Sequence, residues 1–288
     1  MKKIKLFLAI LLVISLTTSG CGNKINKKPE KVQRKEKAPE SLKAIYDNVD
    51  KIVEAAEIET KEKEERKEEQ EERKEEQEEE KLESEEDGAK EEENNKEKDE
   101  EDKDKEKENK NKESKNKEES QKELDQIIRE IYESWNKYEI EAIKKGATNN
   151  NVNKFRESLD NLAIVSEKKE TYNMISNGSQ VFLALAPFFN LYKDDIYGET
   201  SLIKYYVYQG YLSGLNGEVD KGEEFLSLGE EQINRLNTKI EEDKKKNKDV
   251  GLLKKSIEDM KFSLKSNSSQ LLKIKKDIII GNLKKLEE

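Results

Sequence analysis

The sequence predicts an all-α protein, a helical bundle at the carboxy-terminal end preceded by a highly charged helical or disordered tether. Three observations predict it. Apolar residues recur every three or four positions along residues 121–288, whereas period-two alternation is nowhere sustained. Only 3 prolines interrupt 288 residues. Charged residues make up 42% of the chain and crowd into one segment that has almost nothing apolar to bury.

The first periodic stretch follows Ser41. Leu42, Ile45, Val49, Ile52 and Ala56 are spaced 3, 4, 3 and 4, which makes a heptad seam over residues 41–60. So short a seam cannot stand as a coiled coil by itself. The expectation is an isolated amphipathic helix continued by the charged helix after it, the alternatives being docking on the distal domain or weak pairing between molecules.

Residues 61–120 hold 17 Lys or Arg against 30 Asp or Glu, a net charge of −13, with only Leu82 and Ala89 apolar. Such a segment cannot offset the entropy of chain ordering by building a core. It contains a tandem repeat, ERKEEQE at Glu65–Glu71 and again at Glu72–Glu78. Seven residues is the heptad period, but no apolar position forms a seam. Glu62 with Arg66 and Glu69 with Arg73 are i,i+4 pairs, each adding about 0.2 to 0.5 kcal/mol to an isolated helix. The reading is a solvated helix to about Glu86 followed by disorder, acting as an inert spacer.

Residues 121–288 carry 27 basic and 28 acidic residues and read as one helical domain that folds alone. Ser120 and Glu123 have capping-box spacing, and Leu124, Ile127, Ile128, Ile131, Trp135, Tyr138 and Ala142 share a face, so a helix is expected over 121–145 with Gly146 as its stop. A second helix fits 152–169 after the break at Asn149–Asn151. SNGSQVFLALAPFFNLY is apolar on nearly every side and should be the central helix, kinked or restarted at Pro187. Tyr197 and Gly198 close a turn before a helix through Leu202, Ile203, Tyr206, Val207 and Tyr211. Helices over 218–245, 251–265 and 268–286 complete the bundle. The core is expected to include Ile131, Trp135, Phe182, Leu185 and Phe189.

Small residues Gly210, Gly222 and Gly229 bracket the Asn216–Gly217 turn in a spacing similar to one tetratricopeptide unit. The neighbouring residues do not repeat it. A tight helical hairpin inside a bundle is the reading.

At the amino terminus, Lys2 and Lys3 precede the apolar run LFLAILLVISL, Leu6–Leu16, and small residues Thr18, Ser19 and Gly20 lead into Cys21, the single cysteine. The run has the anatomy of a secretory signal and is too short to span a bilayer. The sequence SGC resembles the bacterial lipobox, although Thr18 stands where a leucine is usual. The resemblance implies cleavage before Cys21 and acylation of its thiol by diacylglyceryl and palmitate-type chains. The expected organisation is a signal peptide over 1–20, a lipidated flexible start over 21–40, the short amphipathic helix over 41–60, the charged tether over 61–120 and the helical domain over 121–288.

Without histidine, acid–base chemistry falls to carboxylates and lysines, and these read as scattered over solvated faces. Asp194 and Asp195 read as a solvated turn. No nucleotide-binding loop, nucleophile elbow or calcium loop occurs. A non-enzymatic protein without metal or cofactor is expected, and its acidity argues against a nucleic-acid partner. Six of ten tyrosines lie between Tyr192 and Tyr211. Tyr205 and Tyr208 are candidate partner-binding residues, because tyrosine gives much contact area at low entropic cost. Lys244, Lys245, Lys246 and Lys248 form the other candidate surface, in a helix-to-helix link.

The lipobox ending SGC, the Lys/Glu/Asn-rich tether with short repeats and the histidine-free helical domain look like the surface lipoproteins of Borrelia spirochaetes, especially the virulent-strain-associated lipoproteins and their repetitive-antigen relatives. The resemblance implies a lipid-anchored outer-membrane protein at the cell surface, acting in adhesion or immune evasion through a host protein. A periplasmic or structural lipoprotein pairing through the Leu42–Ala56 seam, and a binder of small ligands in the aromatic hairpin, are the alternatives.

Overall fold

A computed structural model of the protein describes residues 36–86, 95–240, 244–266 and 268–288, all within one compact unit over 36–288. It is all-α: eight α-helices and one 3₁₀ turn, with no strand among the described residues. The helices are α1 (Glu40–Glu86), α2 (Asn95–Lys144), α3 (Asn149–Glu167), α4 (Thr171–Phe189), α5 (Tyr197–Leu215), α6 (Val219–Lys239), α7 (Lys244–Ser263) and α8 (Ser269–Glu287). Each packs on the next, and α1 also packs on α4 and α5 on α8. Short links between packed neighbours make an up-and-down bundle.

Several helix ends follow from local chemistry. Gly146, at φ 103°, takes the left-handed position that closes α2, its N–H bonding to the Ile143 carbonyl and that of Ala147 to Ala142. Ser268 accepts from the Leu271 N–H at 3.2 Å and caps α8. Thr148 caps α3 by accepting from Asn151, so Asn149–Asn151 form the first turn of a helix where a break was expected. Helix α4 runs through Pro187 and ends at Phe189, with no restart. Tyr197 and Gly198 open α5 instead of closing a turn.

The core contains all five expected members, with Ile131, Phe182, Leu185 and Phe189 fully buried and Trp135 2% exposed. Trp135 sits in an aromatic cluster, 4.3 Å from Phe155 and 5.2 Å from Phe188 between ring centroids. Helices α5 and α6 form the expected tight hairpin: a Cβ on Gly210 would stand 2.9 Å from Leu226 and 3.4 Å from the Gly222 carbonyl.

Two expected boundaries are corrected. Leu42, Ile45, Tyr46, Val49, Ile52, Val53 and Ala56 are all buried in the same core, so residues 41–60 belong to the bundle and not to an isolated helix. The reason is that their apolar face packs on the apolar α4, where Gly178 lies so close to Val53 that any Cβ would collide with it. Consequently the domain does not begin at residue 121. The segment 61–120 leaves the core through α1 and returns through α2, helical over 61–86 and from Asn95 onward where disorder was expected, and the Ser120–Glu123 pair lies inside α2. The two helices form the arms of a helical hairpin, α1 packing on α2, and residues 87–94 lie outside the described residues. Helices α3 to α8 have 19 to 21 residues, whereas α1 has 47 and spans about 70 Å. The outer 26 residues of α1, Lys61 to Glu86, thus extend about 40 Å beyond the bundle.

Candidate functional site

The point where the chain enters the fold is held by side chains. Asp194 accepts the Glu36 N–H at 2.9 Å, Asp195 accepts the Ala38 N–H at 3.0 Å, and Lys145 pairs with Glu36. Asp195 also accepts the Tyr197 N–H at 2.8 Å at the start of α5, and its carbonyl accepts from Lys239 at 3.0 Å. Asp195 is 4% exposed, which corrects the solvated-turn reading: the backbone N–H groups of Ala38 and Tyr197 supply the partners its carboxylate needs.

A second set of charges lies between α1, α5 and α8. Asp50, Glu54 and Glu57 are spaced 4 and 3 along one face of α1. Lys204 on α5 has no exposed surface; its Nζ donates to Asp50 at 2.7 Å, lies 3.6 Å from Glu287 and sits 4.2 Å from the Tyr46 ring centroid. Tyr46 donates to Glu287, and its hydroxyl is 3.2 Å from that of Thr200. Further along, Lys276 on α8 pairs with Glu57 and, at 2.6 Å, with Asp277, and lies 5.3 Å from the Tyr211 ring centroid. Lys284 pairs with Glu54. Charges in this setting persist only because each has partners of opposite sign.

Burial pushes the Glu287 carboxyl above its ordinary value despite the pull of Lys204. Burial does the same to Glu57 against the pull of Lys276. Tyr46 rises well above the ordinary phenol value, through burial first and then the charges of Glu287 and Asp50. Asp50 Oδ1, Ser201 Oγ and the Tyr208 hydroxyl are buried without a hydrogen-bond partner. The expectation that carboxylates and lysines only decorate solvated faces is therefore corrected for Asp50, Glu57, Lys204, Lys276 and Glu287. Lys204 carried a signal: it stands between Ile203 and Tyr205 in a helix apolar on nearly every side, where any lysine needs a counter-ion.

Where α1 and α2 leave the bundle they enclose a groove of about 490 Å³. Ala55, Ile58, Leu124 and Ile127 supply its apolar wall, Lys169 closes one side, and Glu59, Glu62 and Arg66 stand at its rim. Glu59 pairs with Lys63 at 3.1 Å and Glu62 with Arg66 at 3.5 Å, the second as the sequence predicts. Glu69 lies outside the described side chains.

The tyrosine and lysine candidates are not brought together as a surface. Tyr208 is fully buried and cannot anchor a partner, because α5 is enclosed by α4, α6 and α8. Tyr205 is half-buried, its ring 5.1 Å from Tyr206 and 6.2 Å from Phe225 between centroids. Lys244, Lys245, Lys246 and Lys248 open α7 and do not form an irregular link. Lys246 donates to the Leu286 carbonyl at 2.6 Å at the end of α8, and Lys248 is exposed; the side chains of Lys244 and Lys245 lie outside the described residues, as does Cys21. Among the described residues no group of three or more His, Cys, Asp or Glu could hold a metal ion, and no helix is long and apolar enough to cross a membrane. Comparison of the chain with protein-family models, curated proteins and solved structures finds no match.

Proposed function

We propose that this protein is a bacterial lipoprotein of the outer membrane, anchored through acylated Cys21, that displays its helical bundle and projecting hairpin at the cell surface to bind a host protein in adhesion or immune evasion, without catalysis. The observation that carries the reading is the hairpin itself. A charged pair of helices rooted at both ends in a packed core is held out from the bundle as a projection, and projections of this kind offer contact area without disturbing the fold. The signal and lipobox supply the anchor, since acyl chains contribute about 0.8 kcal/mol per buried methylene and two or three of them hold firmly.

The runner-up, a periplasmic lipoprotein pairing through the Leu42–Ala56 seam, loses its main support because those side chains are buried against α4. The small-ligand reading drew on an aromatic pocket in the α5–α6 hairpin, and that hairpin is closed by the contact of Gly210 with Leu226.

Protease treatment of intact cells, followed by binding of host serum and matrix proteins to residues 36–288, tests the proposal. Loss of the domain from intact cells together with capture of a defined host protein is expected. A domain protected until the outer membrane is broken, or a folded domain that binds no host protein, contradicts it.

A further inference from the structure

Helices α7 and α8 pack side by side, joined where Lys275 pairs with Asp259 at 3.6 Å and Asn282 donates to Ser256 at 2.8 Å. On α7, Lys248, Leu252, Lys255, Asp259 and Phe262 are spaced 4, 3, 4 and 3, and on α8 Ile274, Ile278 and Lys285 are spaced 4 and 7. Each set therefore occupies one side of its helix, and the contacts between the helices put the two sets on one outward face. Leu252, Ile274 and Ile278 are exposed, and Phe262 is 84% exposed. Large apolar side chains gathered on one exposed face mark an interaction surface.

The charge of this face runs against that of the molecule. The chain carries −10, yet the face holds Lys248, Lys255, Lys275 and Lys285 against Asp259, a net of +3. Asp259 is itself held by Lys255 at 3.7 Å and by Lys275. Glu258 and Asp277 stand about 100° round their helices, at the edges of the face, and Asp277 is paired with Lys276 at 2.6 Å. Other lysines of the two helices turn away to acids of neighbouring elements: Lys254 and Lys261 to Glu230 on α6, and Lys276 and Lys284 to Glu57 and Glu54 on α1. Lys248, Lys255 and Lys285 are exposed, and among the described residues Lys248 and Lys285 have no carboxylate partner.

We propose that this face of α7 and α8 docks on an anionic lipid surface, its apolar side chains entering the headgroup boundary while its four lysines meet the phosphates. The inference does not depend on acylation of Cys21. Apolar residues and lysines interleaved on one helical face suit a bilayer interface, where apolar groups enter about 5 to 10 Å and cations stay with the headgroups. An acidic protein would match the charge as well, but the shape favours lipid. Phe262 projects from the convex side of a helix. A fluid headgroup layer closes around such a projection, whereas a protein partner must present a fitted hollow.

Sedimentation of residues 36–288 with vesicles tests the proposal. This unit holds all the described helices, and starting at Glu36 keeps the lysines of the amino-terminal segment out of the measurement. Binding to vesicles of roughly one-third phosphatidylglycerol in phosphatidylcholine is expected, with far weaker binding to phosphatidylcholine alone. Changing Lys248, Lys255 and Lys285 to Ser should weaken it about a hundred-fold, at about five-fold for each charge. Phe262→Ser with Ile274→Ser should weaken it about ten-fold or more by removing inserted apolar surface. All five side chains are exposed, so both variants should keep the parent's urea midpoint. Ile140→Ser with Ile143→Ser, a change of exposed apolar residues on α2, should leave binding unaltered. Failure to sediment with anionic vesicles, full binding by either α7–α8 variant, an equal loss in the α2 variant, or retention on immobilised polyglutamate without binding to vesicles would overturn the proposal.

Discussion

The inner and outer halves of α1 are one continuous helix held by different forces. From Glu40 to Thr60 the helix buries Leu42, Ile45, Tyr46, Val49, Ile52, Val53 and Ala56 and places Asp50, Glu54 and Glu57 against buried or half-buried lysines. From Lys61 to Glu86 the only apolar residue is Leu82, and the described ion pairs, such as Lys61 with Glu65 at 3.4 Å, are exposed. Helicity in the inner half is a consequence of tertiary packing. Helicity in the outer half comes from favourable backbone propensity and i,i+4 pairs, each a few tenths of a kcal/mol. Charge density by itself therefore does not mark a boundary between tether and fold.

Lysines that serve the two halves should differ most. Lys204→Ala leaves Asp50 and Glu287 without their buried cation and should destabilise the domain by about 3 to 5 kcal/mol in urea unfolding. Lys61→Ala, removing an exposed pair with Glu65, should change it by less than about 0.5 kcal/mol. Equal small effects would place the Asp50–Lys204 pair in water and erase the distinction. Next in size, Ile52→Ala should cost about 2 to 5 kcal/mol by leaving a cavity against α4. A comparable truncation in the outer half, Leu82→Ala, should stay within about 1 kcal/mol of the parent protein, because no core closes around a lone apolar residue.

The smallest effect expected is on pH dependence. Folded-state values of Glu57 and Glu287 lie above the ordinary glutamate value of about 4.3, so the stability they contribute is present below that pH and is lost as pH rises through their raised values. Glu230, held below the ordinary value by its bond to Lys261, works in the opposite sense at lower pH. These two groups should accordingly add stability as pH falls through their raised values towards the ordinary glutamate value. Glu57→Gln with Glu287→Gln should flatten that slope, whatever it does to stability at a single pH. A slope unchanged in the double variant would assign the dependence to other groups.

Much of the bundle is legible in the sequence because helix ends and buried faces are local properties. Gly146 and Ser268 mark ends by backbone conformation and capping, and the spacing of Ile131, Trp135 and Tyr138 marks a buried face. The partner of a buried face is not local. The seam at Leu42–Ala56 is visible in the sequence, but nothing within it says that α4, more than a hundred residues later, covers it. The same limit hid the ion pairs: Glu57 meets Lys276 and Lys204 meets Asp50 across 219 and 154 residues. Tyr208 misled for another reason. Aromatic residues around a whole helix signal either an interface or enclosure on several sides, and only the positions of α4, α6 and α8 decide for enclosure.

The central claim is that the inner half of α1 is part of the folding unit. Urea unfolding of residues 121–288 beside residues 36–288 tests it most directly. The longer chain should unfold in one cooperative transition, and the shorter one, with the α1 face of α4 exposed and Lys204 lacking Asp50, should lose that transition or show a midpoint far lower. A fragment 121–288 that unfolds as cooperatively and at the same urea concentration as residues 36–288 would contradict the account.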